Sequence, residues 1–273
     1  MSDLLQLLAE LPAEERAYWL EQLEMGERGE RPAIYKLIEL CENNAWHSEK
    51  VFWLQQIGDE AEAQYALANH YFMEGNEEKA FYYYEKAALQ QHADAANNLA
   101  DMYLNGEGVA TNERLAFHWF MKAAEAGVVE AMFTLGIMYE QGLGQEVNEV
   151  SALHYYISSA NGGYVEAQYQ VGMIYLEGLL GQQQNLQKAI IFFEMAAQQH
   201  HVDALFNLGY IFAEPQYRMQ DGVKAMHYFK RAALLGDTSA KWQLVQHYEN
   251  GVLVERNEDE AQKWKQSINQ KLQ

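Results

Sequence analysis

Residues 95–127 read AANNLADMYLNGEGVATNERLAFHWFMKAAEAG and hold the full form of a pattern that recurs along the chain. An alanine is followed four residues later by leucine or valine, then by a small residue, and at the eighth position by an aromatic residue. These positions form one stripe at helical spacing. After a loop, a second stretch rich in aromatic residues ends in two alanines. The pattern predicts two helices joined by a loop, called here the first and second helix of a repeat.

The pattern returns at regular intervals. Its leading alanine stands at Ala63, Ala95, Ala131, Ala167 and Ala204, with a degenerate sixth copy at Ala240. The copies lie 32 to 37 residues apart, which is the range of stacked helix pairs and too short for an independently folding domain. The sequence therefore predicts an all-α solenoid of about six helix-pair repeats over residues 61–273.

Small residues within the pattern indicate close packing. Glycine recurs at the fifth position after the leading alanine, at Gly136, Gly172 and Gly209, with alanine in the first two copies. Because glycine inside a helix costs about 1 kcal/mol relative to alanine, its return at one register indicates a steric demand. The second helices are predicted to end at Gly127, Gly163 and Gly236, where a left-handed backbone favours glycine.

The two ends and two of the copies depart from the pattern. Residues 1–60 predict helices near 3–10, 12–25, 32–43 and 45–57 that form either an N-terminal cap or a docking or dimerisation segment. A helix over 258–272 is expected to close the other end. The first copy has a shorter loop, and the fifth replaces the loop glycines by Ala213-Glu214-Pro215.

Composition excludes several classes of function. The chain has 39 acidic and 19 basic residues, for a net charge of −20, which argues against nucleic-acid binding and favours a basic protein partner. Cys41 is the only cysteine, so an intramolecular disulfide and a cysteine-based zinc site are excluded. With no signal peptide and no stretch of roughly 18 or more apolar residues, we expect a cytoplasmic protein without a membrane span.

Catalytic and metal-binding motifs are missing from the sequence. The histidines His118, His154 and His227 recur at one register of the second helices, but neighbouring repeats place equivalent residues roughly 10 Å apart, too far to share one metal ion. We interpret them as semi-exposed helix residues and expect no cofactor, no metal and no enzymatic activity.

In the form AxxxLGxxYxxGxGVxxxxxxAxxWxxKAAxxG, the pattern resembles the Sel1-like repeat family, which is related to tetratricopeptide repeats. The resemblance covers about residues 63–265. It implies a right-handed superhelix that serves as an adaptor between proteins, often in bacteria. A cysteine-rich, secreted branch of the family is not matched, since its ladder of disulfides is absent.

If the first helices line the inner groove, as in tetratricopeptide arrays, four registers face a ligand. Position +2 from the leading alanine gives a mostly aromatic row, at Tyr65, Asn97, Phe133, Tyr169, Phe206 and Trp242, and position −1 gives an acidic row that includes Glu130, Glu166 and Asp203. Positions +6 and +9 add an apolar floor, at Ile137, Met173, Leu176 and Tyr210. Such a surface suits a basic peptide or helix with apolar anchors. The alternative for the −1 and +2 rows is that they pack helices and complement helix dipoles.

The sequence thus predicts a non-enzymatic adaptor that holds a segment of another protein in its groove. An alternative with the same fold is an immunity protein, in which the acidic solenoid neutralises a basic toxin or effector.

Overall fold

The structure is a computed structural model that describes residues 2–269. These residues form sixteen α-helices and one short 3-10 helix, so the predicted all-α, helix-pair fold is confirmed. Contacts divide the chain into two compact units, an N-terminal unit, Met1–Ala131, and a C-terminal unit, Met132–Gln273. The division falls inside a first helix.

The N-terminal unit contains four leading helices and two repeats. The leading helices are α1 (Ser2–Glu10), α2 (Ala13–Glu27), α3 (Arg31–Asn43) and α4 (His47–Gln56). The repeats are the pair α5 (Ala61–Met73) and α6 (Glu77–Leu89), and the pair α7 (Ala93–Asn105) and α8 (Glu113–Glu125).

The leading helices share one apolar core with the first repeat. Leu37 and Trp53 are fully buried there and belong to the same cluster as Ala63 and Leu67 of α5. Burial of side chains of this size contributes about 1.5–3 kcal/mol each. Helices α1 to α4 therefore pack on the start of the repeats through a continuous core.

The C-terminal unit continues the helix pairs. Its helices are α9 (Val129–Gln141, beginning in the N-terminal unit), α10 (Glu149–Asn161), α11 (Val165–Glu177), α12 (Leu186–Gln198), α13 (Val202–Ala213), α14 (Gly222–Leu234), α15 (Thr238–Asn250) and α16 (Glu258–Asn269). Residues 270–272, to which the sequence extends the last helix, lie outside the described residues. In the fifth repeat, where the loop glycines are lost, the 3-10 helix Pro215–Tyr217 forms the connection.

The recurrent glycines of the first helices lie against aromatic rings. A Cβ atom at Gly136 would lie 2.6 Å from the ring of Tyr156 in α10, and one at Gly172 would lie 2.5 Å from the ring of Phe193 in α12. Both rings are buried. The steric demand predicted for this register is therefore met by a ring of the second helix of the same repeat.

Helix ends follow a regular chemistry. Each second helix begins after an asparagine or aspartate whose side-chain oxygen accepts a hydrogen bond from the third helical amide; these residues are Asn76, Asn112, Asn148, Asn185, Asp221 and Asn257. Such a cap contributes about 1 kcal/mol to helix stability. The predicted turn glycines Gly127, Gly163 and Gly236 all have positive φ.

Candidate functional site

The predicted aromatic row on the first helices is half-buried rather than open. Tyr65 stacks on His92, with ring centroids 4.4 Å apart, and Tyr169 stacks on His201 at 4.6 Å. Phe133 lies 5.3 Å from the ring of Tyr164. In each case the partner is the residue immediately before the next first helix. These rings thus join consecutive repeats.

The two histidines make the same three contacts. The Nδ1 atom of His92 accepts a hydrogen bond from the Ala95 amide at 3.2 Å, which caps α7, and its Nε2 lies 3.1 Å from Glu62. His201 caps α13 through the Ala204 amide at 3.2 Å, and its Nε2 lies 3.3 Å from Glu166. Because Nδ1 accepts, the proton of the neutral ring lies on Nε2 and is donated to the carboxylate.

Buried glutamines reinforce these two repeat junctions. Gln64 donates to the Gly58 carbonyl at 2.8 Å and accepts from Gln90 at 2.7 Å. In the other junction, Gln168 accepts from Gln199 at 2.9 Å. The shared signal in the sequence is a Gln-x-His motif at residues 90–92 and 199–201, which the pattern of alanines and aromatic residues does not reveal.

The remaining predicted aromatic positions differ from one another. Phe206 is half-buried and lies 5.7 Å from Phe229 of the second helix in its own repeat. Trp242 is 51% exposed. Asn97, which replaces an aromatic residue in the second copy, donates to Asp101 at 3.3 Å, while its own Oδ1 is buried and has no partner among the described residues.

The predicted apolar floor belongs to the C-terminal unit, where its members lie partly over the core. Ile137, Met173, Leu176 and Tyr210 are half-buried and pack against the buried cluster of that unit. Met173 accepts a hydrogen bond at its sulfur from Asn207 of α13 at 3.5 Å, which brings α11 and α13 together at this register. The predicted acids Glu130, Glu166 and Asp203 are exposed.

Charge is segregated between the two kinds of helix. The first helices α5, α7, α9, α11 and α13 carry eight acidic residues and neither lysine nor arginine, whereas the second helices α6, α8, α10, α12 and α14 carry eight lysines and arginines and seven acids. The electrostatic potential around Tyr169 reflects the acidic side chains of the first helices. Burial raises the pKa of the Tyr169 phenol, and the negative charges of Asp203 and Glu177 raise that pKa further. The first-helix face is thus locally negative.

A pocket of about 330 Å³ opens on the same kind of face in the N-terminal unit. Its lining comes from α5, α6, α7 and the loop after α7, and includes Asn69, Phe72, Tyr84, Asn98, Asp101 and Glu107. Asp101 is half-buried in the middle of α7. Its position on the first-helix face was not singled out by the aromatic and apolar pattern.

Three further observations concern the second-helix histidines, groups of metal-ligating side chains, and helix length. The three histidines of the second helices are exposed, as predicted. Within residues 2–269, histidine, cysteine, aspartate and glutamate side chains nowhere form a group of three placed to hold a metal ion. None of the helices in that range is long and apolar enough to cross a membrane.

Comparison with known proteins identifies the repeat. A family model of the Sel1 repeat matches residues 61–92, 93–128, 129–164, 165–201, 202–237 and 240–266, and proteins of this type typically mediate interactions between proteins. No protein of curated function matches the chain significantly.

Solved structures show the same fold. A protective antigen present in uropathogenic Escherichia coli strains, which displays an SLR fold, is 26% identical with a TM-score of 0.78; the match covers 92% of this chain and 56% of that one. The chain thus spans about half the length of that antigen. A Sel1 repeat protein from Oxalobacter formigenes is 25% identical with a TM-score of 0.72, over 87% of this chain and 99% of its own. Since the family model alone accounts for most of residues 61–266, the chain belongs to the Sel1 repeat family.

Proposed function

We propose that the protein is a non-enzymatic interaction scaffold whose first-helix face binds a basic segment of another protein that also carries apolar anchors. One observation carries this proposal: the first helices of the first five repeats, α5, α7, α9, α11 and α13, hold eight acids and no lysine or arginine. In the sixth first helix, α15, Lys241 is buried and donates to the Ser267 carbonyl. A face of one sign attracts partners of the opposite sign and raises their rate of association. A partner presenting carboxylates would meet no exposed lysine or arginine on these helices.

The C-terminal unit by itself offers apolar contacts for such a segment. Met173 and Tyr210 lie at the +6 register of α11 and α13, and both remain partly accessible above the core. Glu177 and Asp203 are exposed carboxylates at opposite ends of α11 and α13, and the charges of both act on Tyr169. An apolar patch rimmed by charge is typical of protein interaction sites.

The rings at position +2 contribute differently from the sequence-based expectation. Tyr169 is held by His201 and lies 5.8 Å from the buried ring of Phe193. It therefore supplies a fixed wall, and its replacement would disturb the repeat junction together with any binding. Exposed carboxylates are the better probes of the face, because their removal leaves the packing unchanged.

The test uses selection of random, displayed dodecapeptides on the intact protein, followed by affinity measurement on the strongest synthetic peptide. We expect enrichment of lysine or arginine together with apolar residues. The double variant Glu177→Gln/Asp203→Asn should bind that peptide about tenfold more weakly at low salt, since two exposed charge contacts contribute about 0.5–1 kcal/mol each. The loss should shrink at high salt.

The matched control is Glu146→Gln/Glu255→Gln, which removes the same net charge from exposed loops of the same unit. An equal loss of affinity in both double variants would show that only the overall charge matters. Enrichment of neutral or acidic peptides would also contradict the proposal.

A further inference from the structure

Asp101 differs from the other acids of the first helices in the N-terminal unit. Glu62 and Asp94 are exposed and lie in the first turn of their helices, where a negative charge is stabilised by the helix dipole. Asp101 lies two turns further along α7 and is half-buried. Burial, and to a smaller extent the charge of Glu107, raise the pKa of Asp101 to about 6. This carboxylate is therefore destabilised in the free protein.

Among the described residues, Asp101 shares its pocket with a second carboxylate and with no lysine or arginine. Its Oδ2 accepts from Asn97 at 3.3 Å, and Glu107 adds a second carboxylate to the lining of the same pocket. No described lysine or arginine acts on Asp101. Such a network lacks a cationic donor.

The walls of the pocket suit a flat cation. Phe72 presents a ring that is 43% exposed, and a guanidinium stacks on an aromatic face. The Tyr84 hydroxyl donates to Asn69 Oδ1 at 2.5 Å, which fixes the amide of Asn69. Asn69 lines the pocket, and none of the described hydrogen bonds uses its Nδ2, so this amide can donate to a peptide carbonyl.

We propose that this pocket of the N-terminal unit binds the guanidinium group of an arginine side chain in a partner protein. Arginine fits better than lysine because its planar group offers five donors to the two carboxylates while its face covers the ring of Phe72. The proposal rests on the proposed function only in that the ligand is a protein. It assigns an arginine side chain of that ligand to a defined pocket.

The test titrates isotope-labelled full chain with the peptide Ac-Gly-Arg-Gly-NH2 and follows its NMR signals. The signals of Asn69, Phe72 and Asp101 should shift together, and the measured pKa of Asp101 should fall as the pocket fills, because a neighbouring cation favours the carboxylate. The same peptide with citrulline, a neutral group of the same shape, should cause no shift. Asp101→Asn should weaken binding about tenfold, the effect of losing one charge-assisted hydrogen bond.

Asp94→Asn serves as the matched control, because it removes one exposed acid from the same helix and should leave binding unchanged. Equal shifts with the citrulline peptide, no shift at the pocket with the arginine peptide, or unchanged binding by Asp101→Asn would each overturn the proposal. Loss of binding cannot be ascribed to unfolding if the variant is at least as stable as the wild type, which urea unfolding measures. Failure here leaves the Glu177→Gln/Asp203→Asn test standing, since that test concerns the other unit.

Discussion

Replacement of Gly172 by alanine tests the packing that defines the repeat. An alanine in a helix interior is normally favoured over glycine by about 1 kcal/mol. Here the added Cβ would lie 2.5 Å from two ring carbons of Phe193, which is fully buried. Forcing extra volume into a packed core costs about 1–3 kcal/mol, and a contact this short lies at the upper end. We therefore expect Gly172→Ala to lower the free energy of unfolding by about 2 kcal/mol.

The measurement is urea unfolding followed by circular dichroism, with a control and a double-mutant cycle. Gly162→Ala, at an exposed position with φ of −72°, should change stability by no more than about 0.5 kcal/mol. Phe193→Leu should be less destabilising in the Gly172→Ala background than alone, by at least about 1 kcal/mol, because it relieves the same contact. If Gly172→Ala is as stable as the wild type, or if the cycle shows no coupling, the steric explanation of the recurrent glycine is wrong.

Three further predictions concern single residues. His201→Ala should lower the free energy of unfolding by about 1 kcal/mol through loss of the α13 cap, whereas His201→Asn, which keeps a capping oxygen, should retain most of that stability. Urea unfolding of both variants separates the contribution of the cap from that of the imidazole ring. Equal losses in the two variants would contradict the capping explanation. Asp101→Asn should stabilise the protein at pH 7. Because the pKa of Asp101 is raised to about 6 in the folded protein, the folded state binds the proton more tightly than the unfolded state. The stability of the wild type therefore falls as pH rises from about 4 to 6. After a discount for solvent screening, the gain in the free energy of unfolding is about 1 kcal/mol, and it should disappear below pH 4. A gain that persists at pH 3 would refute the raised pKa of Asp101 as its cause. Cys41 is buried, and burial raises the pKa of its thiol to about 11. A disulfide reagent at pH 8 should therefore label Cys41 slowly in the native protein and rapidly in urea. Fast labelling of the native chain would mean that α3 opens readily.

Much of the fold could be predicted from the sequence because the residues that pack the two helices of a repeat recur at the same positions in successive repeats. Glycine at the +5 register and a ring in the second helix are complementary, and they recur together, so periodicity alone indicated the helix pairs. The short connection of the first copy was visible as well: three residues separate α5 from α6, against seven between α7 and α8. Spacing therefore predicts helices well when one packing rule is repeated.

The candidate surface was harder to predict, for a physical reason. A ring at position +2 recurs once per repeat whether it faces a ligand or the start of the next repeat, since both have the same period. The structure shows that Tyr65 and Tyr169 are stacked on His92 and His201. Periodicity could not distinguish a ring that faces a ligand from a ring that packs on the next repeat. The shared Gln-x-His motif between helices is the sequence signal that could have indicated the junction.

Asp101 shows the opposite limitation. It occurs in one copy only, at a register where Ile137, Met173 and Tyr210 stand in the next three copies. A search for recurring residues passes over such a position. Its environment becomes apparent only from the burial of the carboxylate and from the neighbouring Glu107.

The asparagine caps of the second helices have a consequence for how the protein ages. Asparagine side chains hydrolyse slowly to aspartate, which in most places would introduce an unwanted charge. At a helix start, aspartate caps as well as asparagine, and its charge is favourable there. Asp221 already caps α14 in this way, through the Lys224 amide at 3.0 Å. Direct side-chain hydrolysis at Asn112 or Asn148, which keeps the normal peptide backbone, would therefore leave a residue that still caps the helix.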